Sequence, residues 1–222
     1  MIYGFSPSII PAPRDWPATC TICGYWFLDS AMSWEPPADL QQFVAERPAP
    51  LYIGFGSMAS EDPAHVTGMM LEALRRTGQR AIIASGWGGL RGGDLPPAVY
   101  AVESVPHEWL FPRIAGAIHH GGAGTTAAAL RAGIPSFIVP FFADQFFWGN
   151  RLASLGLSPK PVAHRQLTVG ALEKGIMTLV GSPGMAEKCR AASVSIQAER
   201  GVERAVEAID LYLRSVIRHK IH

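Results

Sequence analysis

Apolar positions along the chain change their spacing near residue 50. Beyond it, short continuous apolar runs alternate with stretches of helical period. Leu51-Tyr52-Ile53-Gly54-Phe55-Gly56 predicts a strand with a glycine-rich exit. Val66, Met69, Met70 and Leu74 recur at helical spacing over 65–76. Further strands are predicted at 80–84, 99–102, 115–119 and 136–139, with an extended piece near 158–162. Helices are predicted at 108–111 (brief), 123–132, 145–155, 169–180, 185–197 and 202–218. In the last of these Val202, Val206, Ile209, Leu213 and Val216 form one apolar face.

Strands that alternate with helices predict an α/β fold, a Rossmann-like parallel sheet with helices on both faces. Ligands of such sheets bind beyond the carboxyl ends of the strands, at a topological switch. Each strand exit is therefore a candidate wall of a site: Gly56-Ser57-Met58, Ser85-Gly86-Trp87, Ser104-Val105-Pro106-His107, the stretch from His119 to Thr126, and Phe141-Phe142-Ala143-Asp144-Gln145. Residues 1–48 follow another pattern. They are crowded with prolines and show no helical period, which favours extended segments and turns. Trp16, Tyr25, Trp26, Phe27 and Trp34 are too apolar for a solvated linker. The expectation is a connector or surface arm over 1–48 and one domain over 49–222.

Composition narrows the class. A hydrophobic share of 48% predicts a real core, and a net charge of +1 gives no reason to expect a nucleic-acid partner. No run approaches a membrane span and no signal-peptide layout opens the chain, so a cytoplasmic protein is expected. The basic tail from Arg214 to His222 reads as a solvated helix end, with membrane contact at most peripheral. Three cysteines do not make a disulfide framework. Cys20 and Cys23 form a C-x-x-C whose spacing reads as chance, since Cys189 alone supplies no second pair for zinc.

The chemistry concentrates at His119-His120-Gly121-Gly122-Ala123-Gly124-Thr125-Thr126, a glycine-rich turn between a strand and a helix. A helix N-terminus offers unpaired N–H groups and a partial positive charge, a place for a phosphate. A tight turn capped by threonine needs fewer glycines, so Gly122, Gly124 and Thr125 are read as anion contacts. His120, at the end of the strand, is placed to donate to a phosphate oxygen, and His119, facing the other way, is read as structural. Asp144 and Gln145 suit sugar hydroxyls, Asp144 also serving as a helix cap, and Ser57 offers a hydroxyl near a phosphate or a simple turn. A Walker-type loop needs Gly-Lys, which the chain lacks. Gly122 to Ala127 does fit G-x-G-x-x-A, so a nicotinamide-binding domain is a rival, weakened because the turn lies in a late unit. No Asp-x-Asp occurs, and nothing suggests a metal site or a cofactor.

At these residues the chain resembles family 1 glycosyltransferases. The resembling segments are "GFGSM", "VPHEWLFPR", "HHGGAGTTAAALRAGIPSFIVPFFADQFFWGNRL" and "IQAERGVERAV". The nearest branch is the sterol 3-beta-glucosyltransferase and antibiotic-glycosyltransferase type. The resemblance implies the C-terminal, nucleotide-sugar-binding half of a GT-B enzyme. It implies transfer of a sugar, usually glucose from UDP-glucose, to a lipid or small-molecule hydroxyl with inversion. It places Ser57, His120, Gly122, Gly124 and Thr125 at the diphosphate, Asp144 and Gln145 at the sugar, and Val105 and His107 beside the base. Ser104 replaces the Trp that many members stack on the base, a role that Trp87 is expected to take over. Ala128 stands where plant members carry a ribose-binding Glu. UDP and TDP donors both stay open. The acceptor site and catalytic base are implied to lie in an N-terminal domain, so the chain alone is expected to bind a donor without transferring it. A non-catalytic nucleotide-sugar module is the other alternative.

Overall fold

The computed structural model describes residues 1–28, 34–56, 62–84 and 95–220, with side chains through Arg214. A two-stranded parallel ribbon, β1 (Ile2–Tyr3) and β2 (Thr21–Ile22), opens the chain and α1 (Ala38–Ala45) follows. The domain proper runs β3 (Leu51–Gly54), α2 (Pro63–Thr77), β4 (Ala81–Ala84), β5 (Val99–Val102), α3 (His107–Leu110), β6 (Gly116–His119), α4 (Ala123–Ala132), β7 (Ser136–Ile138) and α5 (Gln145–Leu155). It closes with α6 (Val169–Gly181), α7 (Pro183–Gln197) and α8 (Gly201–Lys220). The 158–162 piece forms no strand; the Val162 N–H reaches the Ile138 carbonyl at 3.2 Å.

Among the described residues the domain has five strands, all parallel, in the order β5-β4-β3-β6-β7. The chain winds outward from β3 to β5, then crosses back to β6 beside β3. The switch point therefore lies between β3 and β6, where Gly54 pairs with His119. Side chains alternate across each strand, so one sheet supplies two cores. On one face Leu51, Ile53, Ile83 and Ile118 pack against Val66, Met70 and Leu74 of α2 and Leu172, Ile176 and Leu179 of α6. On the other, Tyr52, Ile82 and Ala117 meet Leu110, Phe111 and Ala129. Each fully buried aliphatic side chain contributes about 1.5–3 kcal/mol.

The arm holds more order than its prolines suggest. Within 1–48, α1 is a helix of two turns, a correction to the absence of helical period expected there. Leu40, Phe43 and Val44 sit at i, i+3 and i+4 and are buried against Tyr52 and Ile82. Two turns are too short for periodicity to outweigh the flanking prolines, and tertiary burial holds the helix. The first segment is also docked. Ile9 and Tyr25 enter a core with Leu130, Ile138, Trp148 and Ile196, and Arg151 Nε donates to the Ile9 carbonyl at 2.7 Å. The start of α8 lies against the arm so closely that a Cβ on Gly201 would overlap the Tyr25 carbonyl. Among the described residues no helix is long and apolar enough to cross a membrane.

Candidate functional site

β6 ends at His119, and the chain turns through Gly121 and Gly122 into α4. Gly121 has φ +90°, and a Cβ there would stand 2.7 Å from Ile138 Cγ2 and 3.2 Å from the Gln145 carbonyl oxygen. Only a bare α-carbon fits, because the turn is pressed onto β7 and the first residue of α5. Gly122 is the N-cap of α4 and no side chain caps the helix, so the threonine cap considered from the sequence does not form. The Thr126 N–H bonds back to the Gly122 carbonyl at 3.0 Å. Helix geometry leaves the earlier amides, including those of Gly124 and Thr125, without such a partner. Around Gly124 there is open space, with no heavy atom within 4 Å of a Cβ built there. Thr125 is half-buried, and Thr126 is fully buried.

His120 lies between two glycines. A Cβ on Gly122 would overlap its Nε2, and one on Gly56 would stand 3.4 Å from its Cε1. The exits of β3 and β6 thus meet at this ring, as the switch point requires. Burial lowers the His120 pKa, and the Asp144 carboxylate opposes that shift, so the two groups face one field. His119 points the other way and is fully buried, its ring centroid 6.4 Å from that of His120. Asp144 precedes α5 but makes no side-chain cap; its Oδ2 accepts from Trp148 Nε1 at 3.2 Å.

A cleft of about 640 Å³ opens beside the turn. Gly124, Ala128 and Arg131 line it from one face of α4, at i, i+4 and i+7. His107 and Glu108 line it from α3, and Trp26, Phe27 and Leu28 from the arm. The Arg131 guanidinium lies 4.4 Å from the Phe27 ring centroid. His107 stacks on Phe111 at 4.3 Å, and its Nε2 lies 3.4 Å from the Tyr52 hydroxyl. Burial pushes the His107 pKa down to about 4, so the ring is neutral at pH 7. The Tyr52 hydroxyl occupies the space that a side chain on Gly54 would need.

The structure therefore brings His120, Gly122, Gly124, Thr125, Asp144 and His107 around one switch point. Val105 faces inward: it is 8% exposed and packs in the core with Leu110 and Phe111, so its side chain does not line the cleft. Gln145 is 4% exposed, and its Oε1 accepts from the Phe141 and Phe142 N–H groups at 2.8 and 3.3 Å. That oxygen braces the β7 exit loop. Ser57 and Trp87 lie outside the described residues. The arm's part in the cleft escaped the sequence reading, since contacts across such a separation leave no local period.

The strand order, with this turn at its switch point, is that of a Rossmann-like sheet, and the comparisons with solved structures define its class as the C-terminal half of the GT-B architecture. CalG4, the calicheamicin glycosyltransferase, superposes with a TM-score of 0.76 at 24% identity over 97% of this chain and 54% of its own. Glycosyltransferase VinC, solved with dTDP, gives 0.70 at 23% identity over 96% of this chain and 52% of its own. The chain belongs to the erythromycin biosynthesis protein CIII-like C-terminal domain family, whose model matches residues 71–205. It is 41% identical to sterol 3-beta-glucosyltransferase UGT80A2 of Arabidopsis thaliana over 96% of this chain and 33% of that protein. It is 40% identical to a sterol 3-beta-glucosyltransferase of Cryptococcus neoformans over 98% of this chain and 15% of that protein. The chain thus spans a third or less of the length of these curated relatives.

Proposed function

We propose that this chain is the donor-binding half of an inverting glycosyltransferase that uses UDP-glucose and modifies a sterol-like lipid or a small-molecule hydroxyl. The observation that carries the reading is the meeting of the β3 and β6 exits at His120, beside the uncapped N-terminus of α4 and the adjoining cleft. The diphosphate lies on the Gly122–Thr125 amides, with His120 Nε2 as a further donor. The nucleoside enters the cleft between α4, α3 and the arm, and the sugar extends toward Asp144. No metal or cofactor is assigned. As the bond to the anomeric carbon breaks, negative charge grows on the leaving diphosphate. Donors fixed there act more strongly on the transition state than on the ground state.

Support for a sterol-like acceptor comes from the names of the relatives, and the acceptor site and base are assigned to the part of them that this chain does not span. Titration of the chain with UDP-glucose, dTDP and NADH tests the donor reading. Binding of UDP-glucose that is lost in Gly124→Val with Thr125→Val supports it. Tight NADH binding without a UDP response favours a nicotinamide-binding domain instead. Transfer assays are expected to show donor binding without useful turnover, and robust sterol glucosylation by the chain alone would overturn that part.

A further inference from the structure

His119 is the one member of the histidine pair that the donor reading leaves without a task. It is fully buried, yet both ring nitrogens have definite circumstances. Nδ1 accepts the Gly121 N–H at 3.1 Å. Nε2 has no hydrogen-bond partner among the described residues. An imidazole that accepts at Nδ1 carries its proton on Nε2, so the bond selects one neutral tautomer. The residue that donates is Gly121, whose positive φ and lack of room for a Cβ make it the tightest point of the turn. The His119 backbone is itself fixed, pairing with Gly54 on one side and giving its carbonyl to the Val139 N–H at 2.9 Å on the other. The ring is thus a rigid strut from the sheet to the first peptide of the turn.

We infer that His119 is a positioning residue: its Nδ1 holds the Gly121 amide inward and thereby sets the peptides of Gly122 and of the first turn of α4 for an anion. It touches no ligand. A buried imidazole suits the task better than a hydroxyl because it reaches the amide from a fixed strand with only two side-chain torsions. The function of the strut rests on the donor reading above, but its tautomer does not.

Two isosteric variants separate this role from simple core packing. In His119→Asn the side-chain oxygen stands near the place of Nδ1, while in His119→Gln the polar atoms reach toward the place of Nε2. UDP affinity is expected to stay within about threefold of wild type in His119→Asn and to weaken about tenfold or more in His119→Gln and His119→Leu. Nitrogen-15 spectra of the chain without ligand are expected to show an Nε2–H tautomer and a coupling across the Gly121 N–H···Nδ1 bond. Equal losses in Asn and Gln variants, or an Nδ1–H tautomer, overturn the inference. If wild type binds no UDP, the donor reading fails by itself. The amide shifts of residues 121–125 then decide the strut: native-like in Asn and displaced in Gln supports it, and the same shifts in both overturns it.

Discussion

The two halves of the candidate site are built in opposite ways. The turn from His119 to Thr125 is one short stretch of chain, and what it offers a ligand is mostly backbone. The cleft beside it is assembled from α4, α3 and the arm, and what it offers is side chains: Trp26, His107, Glu108 and Arg131. A backbone site depends on shape, so it fails when a Cβ is added at its tight points, Gly121 and Gly122. A side-chain site depends on identity, so it changes by degrees. The difference predicts that the turn governs whether an anion binds at all, and the cleft governs which nucleoside accompanies it.

The largest effect is expected at Gly122. Gly122→Val drives a side chain into the His120 ring, and calorimetry should find affinity for both UDP and pyrophosphate reduced by about a hundredfold. Loss of UDP binding alone would break the division between turn and cleft. His120→Ala removes one donor to a charged group, expected to cost about tenfold in UDP-glucose affinity. It should also remove a pH dependence. The free ring has a lowered pKa, and a bound diphosphate raises it, so wild-type affinity rises as pH falls through the bound-state value toward the lowered free one. UDP-glucose is the probe because its diphosphate has no ionisation in that range.

Smaller effects belong to the cleft. Trp26→Ala is expected to weaken UDP about fivefold and leave pyrophosphate unchanged, since in the proposed pose only the nucleoside meets the arm. Gly124→Ala sharpens the comparison further. The added methyl meets no protein atom, and helix propensity should raise stability by about 0.5–1 kcal/mol while UDP binding weakens. A thermal melt with and without UDP reads both changes in one experiment.

The histidines add a stability signature. Burial holds His107 at about 4 and His119 at about 3, both below the ordinary value of 6.5. The unfolded chain therefore takes up protons first as pH falls. Stability is complete above about pH 6.5 and declines toward pH 4, by about 1.4 kcal/mol per unit for each ring. His119→Asn should flatten that decline by one proton in urea titrations across the same range.

How much of this was legible in the sequence follows the same division. The strands and helices of 49–222 were read with shifts of a residue or two, because each carries its own period. The turn was legible because its glycines, its threonines and the strand before it are contiguous. The cleft was not. Trp26 and Phe27 reach α4 only through the docking of the arm, and no local pattern encodes that. Val105 and Gln145 show a second limit. A residue type suggests what a side chain can do, but burial decides where it points: Val105 faces Leu110 and Phe111, and the Gln145 oxygen faces its own loop. His119 was read as structural from strand alternation alone. Its bond to Gly121 needed coordinates, since the amide two residues on is reached only when the chain bends back.

The bare α-carbons at Gly121 and Gly122 have a consequence for how such a domain drifts. Every single-base change of a glycine codon that replaces the residue adds a side chain, which at Gly121 meets Ile138 and the Gln145 backbone and at Gly122 displaces the His120 ring. Ala128, one turn into α4 and open to the cleft, is different: an alanine codon ending in A or G is one base from glutamate. The mutational neighbourhood of this chain is therefore lopsided. In the proposed donor pose the tight part of the turn, Gly121 and Gly122, tolerates no such step, while the cleft wall at Ala128 stands a single step from a carboxylate.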